Sequence, residues 1–254
     1  MRHPDWLAPE WPLPAVGAVM TTRHGGVSAG PFESLNLRDA IGDDAQAVAR
    51  NRDLLAQSIG ATPVWLNQVH GRRVVRLTTA DLRPDAPVHE ADASVTSDPG
   101  IACAAQVADC LPVLFAAPAG RAVGAAHAGW RGLANGVLEA TLRAVCETAG
   151  CEPQEVRAWL GACIGPTAFE VGPDVLAAFG AGPDAPRFRP RSPGKWLADL
   201  PGLADDRLRA AGVTELSGGG WCTVGNPSRF FSYRRDRVTG RMAALVWIER
   251  GRFG

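Results

Sequence analysis

The sequence has almost no lysine, no excess of charge and no long apolar run. Of its 26 basic residues only Lys195 is a lysine, and 26 acidic residues balance them. Because the net charge is zero, no overall field draws the chain to nucleic acid or to an anionic membrane. No stretch approaches the ~20 apolar residues that span a bilayer. We therefore expect a protein that binds neither nucleic acid nor membranes.

Export signals and paired cysteines are also missing. Prolines and acidic residues interrupt the apolar runs of MRHPDWLAPEWPLPAVGAV, so we expect neither a signal peptide nor a membrane anchor. We therefore expect the chain to be cytoplasmic, and in that reducing compartment its six cysteines should be thiols or metal ligands. No two of them form a C-x-x-C pair, which excludes zinc-finger and thioredoxin-like sites.

The remaining composition is that of a globular domain. The chain has 254 residues, 46% of them hydrophobic and 20% charged, and it shows no internal repeat. We expect one domain over residues 1–254, because strand-like segments continue on both sides of the Gly- and Pro-rich stretch 180–194. That stretch is predicted to be a long surface loop rather than a domain boundary.

Apolar patterning predicts many strands and few helices. The strand candidates are Val16–Thr21, Val64–Val69, Val74–Leu77, Ile101–Val107, Pro112–Ala116, Ala122–His127, Val156–Leu160 and Ala243–Ile248. The helix candidates run from Asp43 or Asp44 to Gly60, from Leu133 to Ala149, from Pro173 to Gly180 and from Asp199 to Ala211. Scattered helices among many strands indicate an α+β fold with mixed sheets.

Two of the five histidines stand at strand ends, where scaffolds present functional groups. His70 lies in a turn between two apolar strands, and His127 lies where a strand gives way to a helix. His3 and His89 are expected to be solvated and are set aside, whereas His24 begins a Gly-rich turn that is considered below with Arg23.

A β-hairpin brings Cys110 to His127. Strands Pro112–Ala116 and Ala122–His127 flank a short turn centred on Ala119. Cys110 and His127 are then direct or diagonal cross-strand neighbours, about 5–8 Å apart at Cβ. One thiolate and two imidazoles suit zinc, and three protein ligands leave a fourth position open, as in catalytic sites. The plainer interpretation stays open, since single histidines and cysteines are often structural.

Other residues are candidates for anion binding or proton transfer. Gly129-Trp130-Arg131-Gly132 opens a helix, whose free N–H groups together with Arg131 favour a phosphate, although the glycines alone could serve a tight turn. Arg23 stands beside a similar Gly-rich turn.

Asp109 is a candidate general acid/base, or a residue that orients a metal ligand or caps a turn. Cys163 is expected to be buried, and residues 232–237 are expected to form a solvated turn with one arginine able to face a pocket.

Seven segments together resemble the multicopper polyphenol oxidase or laccase-domain family, whose members are also called purine nucleoside phosphorylase and peptidoglycan editing factor. They are TTRHGGVSAGPFESLNL, GDDAQAVARNR, WLNQVHG, ADCLPVLF, AAHAGWRG, GACIGPTAFEVG and FFSYRRDRVTGR. The resemblance extends from Thr21 to Arg241. This chain carries Ala162 and Phe169 where relatives often have Pro and Tyr.

The resemblance implies a single-domain, four-layer α/β/β/α sandwich and a zinc site made of His70, Cys110 and His127. It also implies phosphorolysis of adenosine, inosine, guanosine and methylthioadenosine, and hydrolytic deamination of adenosine. The partners would be a purine nucleoside and phosphate, with the chain a monomer or a homodimer. On this hypothesis Arg131, Gly129 and Gly132, together with Arg23 or Arg52, form the phosphate cradle, and Asp109 transfers protons.

Three other possibilities remain. The chain has five histidines and no H-x-H pair, so it cannot hold a four-copper cluster, but copper can replace zinc at a single site of this kind. Alternatively, Cys110 is a nucleophile activated by His127 in a peptidoglycan-editing hydrolase. The third possibility is a binding module without catalytic activity.

Overall fold

The computed structural model describes residues 2–251 as strands and helices in irregular alternation. The strands are β1 (Val16–Met20), β2 (Thr62–Val64), β3 (Val74–Arg76), β4 (Ala93–Thr96), β5 (Ile101–Val107), β6 (Leu111–Ala116), β7 (Val123–Ala128), β8 (Arg157–Leu160), β9 (Glu170–Val171), β10 (Phe188–Ser192), β11 (Lys195–Ala198), β12 (Glu215–Gly218) and β13 (Met242–Ile248). The helices are α1 (Ala45–Ile59), α2 (Trp130–Ala134), α3 (Val137–Ala149), α4 (Pro173–Ala178), α5 (Leu200–Ala210) and α6 (Tyr233–Asp236).

The strands form two large mixed sheets and one small sheet. The first has the order β1-β13-β5-β2, in which only β2 and β5 pair in parallel. The second has the order β12-β8-β6-β7-β4-β3, with a parallel pair at each edge. The third, β10-β11-β9, is antiparallel. This mixture of pairings confirms the predicted α+β class.

The two large sheets pack face to face, with helices on their outer faces. In β13, Met242, Ala244 and Val246 belong to the core between the sheets, whereas Ala243 and Leu245 belong to the core beneath α1. The side chains alternate because consecutive residues of a strand point to opposite faces. The outer face of the six-stranded sheet packs against α3 and α5. The layers are therefore helix, sheet, sheet and helix, which confirms the four-layer sandwich.

Two predicted helices are confirmed at their caps, and a third is divided. Asp44 caps α1 by accepting a hydrogen bond from the Gln46 N–H, and Gly60 ends it at a φ of 70°. Asp199 caps α5. The helix predicted from Leu133 to Ala149 is two helices, since Gly136 has a left-handed φ of 89° and separates α2 from α3. None of the helices in residues 2–251 is long and apolar enough to cross a membrane.

One strand prediction and one loop prediction are corrected, and four further strands were not predicted. The strand predicted over Val64–Val69 ends at Val64, because Gln68 leaves the sheet and its side chain binds the backbone N–H and C=O of Gln106. The stretch predicted as a surface loop contains β10, which pairs with β11 across a tight turn at Gly194. The buried strand β4 and the strands β9, β11 and β12 were not predicted.

Candidate metal centre

His70 is presented by a turn that one buried carboxylate holds in place. The residue has a left-handed φ of 62°. The carboxylate of Asp92 accepts hydrogen bonds from three consecutive N–H groups: Val69 at 3.2 Å, His70 at 2.9 Å and Gly71 at 2.6 Å. The side chain of Asp92 is fully buried. Its charge therefore compensates the backbone strain at His70, because these charge-assisted hydrogen bonds form in a site shielded from water.

The same carboxylate orients His127. Asp92 Oδ1 lies 2.8 Å from Nδ1 of His127, which is buried near the end of β7. An ionised carboxylate only accepts hydrogen bonds, so Nδ1 carries a proton and Nε2 is the nitrogen left for a metal ion. A carboxylate–histidine pair of this kind typically supports a metal-binding imidazole.

Cys110 completes a group of three donor atoms. The β6–β7 hairpin is confirmed, with Pro112 opposite His127, so Cys110 stands just before the first paired residue. The candidate ligand atoms of His70, Cys110 and His127 all lie within 4.8 Å of one another. Cys110 Sγ is 3.8 Å from Nε2 of His70, and the two imidazole rings meet edge to face. One sulfur and two nitrogens at these separations could share a single metal ion.

The charges of this group favour a thiolate. Burial alone would raise the pKa of Cys110, but the nearby His127 ring lowers it, with His70 acting in the same direction. In His127 burial lowers the pKa, whereas the Cys110 and Asp92 charges raise it by a larger amount. The thiolate is the form of cysteine that binds metals and attacks electrophiles. The site is thus set up for either chemistry.

Two cavities meet at the donor group. One of about 410 Å³ is lined by His70, Cys110 and His127 together with polar side chains, namely Arg38, Gln68, Gln106, Tyr233 and Arg241. Another of about 280 Å³, called the aromatic cavity below, also includes His70 and Cys110. It is lined by the aromatic and apolar side chains of Trp130, Ile164, Phe169, Leu200 and Tyr233, and by the charged side chains of Asp109, Arg131 and Arg234. A ligand with one polar and one planar apolar part would fit across the two.

Comparisons with known proteins agree with this arrangement. The family model described as multi-copper polyphenol oxidoreductase laccase matches residues 17–249. The chain belongs to this family. A purine nucleoside phosphorylase of Pseudomonas aeruginosa is 50% identical to this chain, over 96% of this chain and 98% of that protein. The purine nucleoside phosphorylase YfiH of Escherichia coli is 47% identical over 95% of the chain and 98% of that protein.

Solved structures share the fold throughout. A Neisseria meningitidis protein matches with a TM-score of 0.89 and 46% identity, over 97% of this chain and all of that one. YlmD of Geobacillus stearothermophilus matches with a TM-score of 0.90 and 33% identity, over 98% of both chains. The family's name refers to several copper ions. Within residues 2–251, however, His70, Cys110 and His127 are the one group of three or more His, Cys, Asp or Glu residues that could hold a metal ion.

Gly129 and Gly132, which were predicted to bind phosphate, pack closely against the candidate metal ligands and the His70 turn. A Cβ on Gly129 would lie 2.9 Å from Cδ2 of His70 and 3.0 Å from Sγ of Cys110. A Cβ on Gly132 would lie 2.8 Å from the carbonyl oxygen of Gly71. Helix α2, which Gly129 precedes, has only five residues. These glycines therefore permit close approach of α2 to the His70 turn.

Asp109 lies beside Cys110, but its carboxylate is engaged elsewhere. Its two oxygens accept hydrogen bonds from the Thr223 hydroxyl and the Arg234 N–H, each at 2.6 Å. Residues 232–237, predicted to be a solvated turn, include α6, and Arg235 donates to the carbonyl groups of Thr223 and Phe230. Asp109 thereby fixes the segment that carries Tyr233 into both cavities.

The three arginines predicted near phosphate lie in different places. Arg131 lines the aromatic cavity, and its guanidinium stacks on the ring of Trp130. Arg23 donates to the carbonyl groups of Glu33 and Pro227 and faces another cavity. Arg52 donates to the Leu37 carbonyl and pairs with Asp39 in a neighbouring cavity. Only Arg131 is beside the donor group. Cys163 is buried as predicted, and burial raises the pKa of its thiol.

Sequence reasoning missed Asp92, Arg38 and Arg241. A signal for Asp92 existed: it is the one acidic residue within the apolar stretch Ala91–Val95, where a buried charge requires partners. Arg38 and Arg241 had no comparable signal, because their role depends on which loops the fold brings together.

Proposed function

We propose that this chain is a zinc-dependent purine nucleoside phosphorylase that also deaminates adenosine by hydrolysis. The observation that carries the proposal is the convergence of His70, Cys110 and His127 between a polar and an aromatic cavity. The names of relatives at 47% and 50% identity support the reaction class. Adenosine, inosine, guanosine and methylthioadenosine are the proposed substrates, with phosphate as the second substrate.

The donor set fits zinc. A thiolate and two imidazoles are ligands that zinc accepts, and copper, which binds such ligands more tightly, is the competing occupant. When bound, the ion supplies Lewis acidity, which makes a water molecule more acidic and polarises a substrate atom. Asp92 contributes by keeping the proton of His127 on Nδ1.

The chain's own groups position the substrates. The aromatic cavity with Trp130 and Phe169 suits the planar purine, and Arg131 at its edge is our candidate for a contact to the substrate. In phosphorolysis a phosphate oxygen bonds to C1′ of the ribose as the bond from C1′ to the purine breaks. The purine keeps that electron pair and receives the proton of the hydrogen phosphate. We assign Asp109 a positioning role, since both of its oxygens already accept hydrogen bonds.

Product analysis with adenosine tests the proposal. With phosphate, the zinc-loaded protein should release adenine and ribose 1-phosphate, and without phosphate it should release inosine and ammonia. His70→Ala and Cys110→Ala should lose both activities, whereas Cys151→Ala, a cysteine remote from the donor group, should keep them. A zinc-loaded protein that forms none of these products would refute the proposed function.

One observation favours a second candidate, a peptidoglycan-editing hydrolase acting on a cell-wall precursor such as a muramyl-serine conjugate. Cys110, His127 and Asp92 follow the order thiol, imidazole and carboxylate that activates nucleophilic cysteines. Such an enzyme should hydrolyse its substrate in the presence of a chelator and lose activity on alkylation. Loss of hydrolysis on chelation would exclude this mechanism.

A further inference from the structure

The polar cavity is lined by two arginines that form no ion pair within the described residues. Arg38 and Arg241 line it together with His70, Cys110 and His127. Within residues 2–251, neither guanidinium lies within 4.0 Å of a carboxylate oxygen. Arg52 in the adjoining cavity is different, because it pairs with Asp39. Two unpaired cations facing one cavity favour an anionic ligand.

The fold holds these two residues together through one buried side chain. Oδ1 of Asn36 accepts hydrogen bonds from the backbone N–H of Arg38 at 3.1 Å and from that of Arg241 at 2.9 Å. The amide of Asn36 donates to the Arg38 carbonyl and to Asp43, and the residue is fully buried. Oδ1 of Asn36 therefore joins two segments that are distant in the sequence, and its NH₂ group fixes the local turn at Arg38.

The arginines are close enough to affect each other. Burial lowers the pKa of Arg241, and the charge of Arg38 acts in the same direction, whereas the Cys110, Asp109 and Tyr233 groups act against them with smaller effects. Arg241 donates through one nitrogen to the carbonyl groups of Thr239 and Gly240, which leaves its other nitrogens available to a ligand. Holding two cations side by side is unfavourable until an anion binds between them.

We propose that Arg38 and Arg241 form the phosphate subsite of this enzyme. This inference rests on the proposed function. It replaces the cradle predicted from the sequence, which consisted of Gly129, Arg131 and Gly132 together with Arg23 or Arg52. Phosphate bound there lies on the polar side of the donor group, and the purine occupies the aromatic side. The ribose then spans the region beside the metal ligands, where its C1′ can meet a phosphate oxygen. Guanidinium groups suit phosphate because they donate paired, charge-assisted hydrogen bonds.

Binding of inorganic phosphate tests the subsite without relying on turnover. We would measure the affinity of radiolabelled phosphate by equilibrium dialysis for the zinc-loaded wild-type protein, Arg38→Gln and Arg241→Gln. Loss of a charge-assisted contact should weaken phosphate binding about ten- to hundredfold in each variant. Arg143→Gln, which removes the same charge from the exposed face of α3, should bind phosphate as the wild type does.

Kinetics separate failure of the subsite from failure of the proposed function. In an active enzyme, Arg38→Gln should raise the KM for phosphate much more than the KM for adenosine, with unchanged zinc content, whereas Arg143→Gln should change neither KM. Arg38 is the decisive position, because its side chain forms no hydrogen bond or ion pair within the described chain and its loss should not unfold the protein. Equal phosphate affinity in wild type and Arg38→Gln would overturn the subsite, even if phosphorolysis itself is confirmed.

Discussion

Asp92 Oδ1 lies 2.8 Å from Nδ1 of His127, and the same carboxylate accepts the N–H groups that define the His70 turn. One buried side chain thus orients two of the three candidate ligands. It connects the end of β7 with a loop whose conformation the local sequence would not favour, since His70 has a positive φ.

Substitution of this carboxylate should weaken metal binding. Asp92→Asn keeps the size but loses the charge, and its amide NH₂ would face N–H donors. We expect zinc affinity to fall about 10–100-fold, as is typical when the partner of a metal-binding histidine is changed. Competition with a chromophoric chelator measures this affinity. Asp85→Asn, an exposed carboxylate, is the matched control and should bind zinc normally.

The metal-free forms distinguish orientation from general destabilisation. If Asp92 serves only the fold, Asp92→Asn would lower the Tm of the metal-free protein and leave zinc affinity intact, which would contradict our interpretation.

A single methyl group at Gly129 should disturb the donor group. Gly129 has a φ of −62°, so alanine is allowed by the backbone, but its Cβ would contact His70 and Cys110. Overpacking of this kind costs about 1–3 kcal/mol. We expect Gly129→Ala to lose most of its activity on adenosine. Gly182→Ala, whose Cβ would meet nothing within 4 Å, should retain it; full activity in Gly129→Ala would show that the trio tolerates displacement.

Removal of the metal should expose Cys110 to alkylation. In the zinc-loaded protein the thiolate is a ligand and should react slowly with iodoacetamide, whereas a chelator should accelerate its labelling. Peptide mass spectrometry follows each cysteine separately. Cys163 is the internal control, because burial raises its pKa and it should stay unlabelled in both conditions. Labelling of Cys110 at the same rate with and without chelator would favour the thiol hydrolase.

The candidate metal ligands could be predicted from the sequence, but the residues that hold them in position could not. Cys110 and His127 could be brought together because a short hairpin fixes its own register. Helix α1 could be bounded because Asp44 and Gly60 are local caps. Asp92 was missed because the strand that follows it, β4, was not recognised. All four residues of β4 are buried, so the strand lacks the alternation of polar and apolar residues that identifies a strand in a sequence.

Long-range contacts explain the remaining errors. The arginine pair depends on Asn36, which joins segments 205 residues apart in the sequence. The strand predicted through Val69 was lost because Gln68 replaces strand pairing by side-chain hydrogen bonds to Gln106. Local propensity contains no information on either contact.

X-ray absorption at the zinc edge tests the central claim most directly, since it counts the atoms bound to the ion. For the zinc-loaded protein we predict one sulfur at about 2.3 Å and two imidazole nitrogens at about 2.0–2.1 Å, with a light atom in the remaining position. In Cys110→Ser the sulfur contribution should disappear. A zinc ion without a sulfur neighbour in the wild type, or an unchanged spectrum in Cys110→Ser, would contradict a shared site at His70, Cys110 and His127.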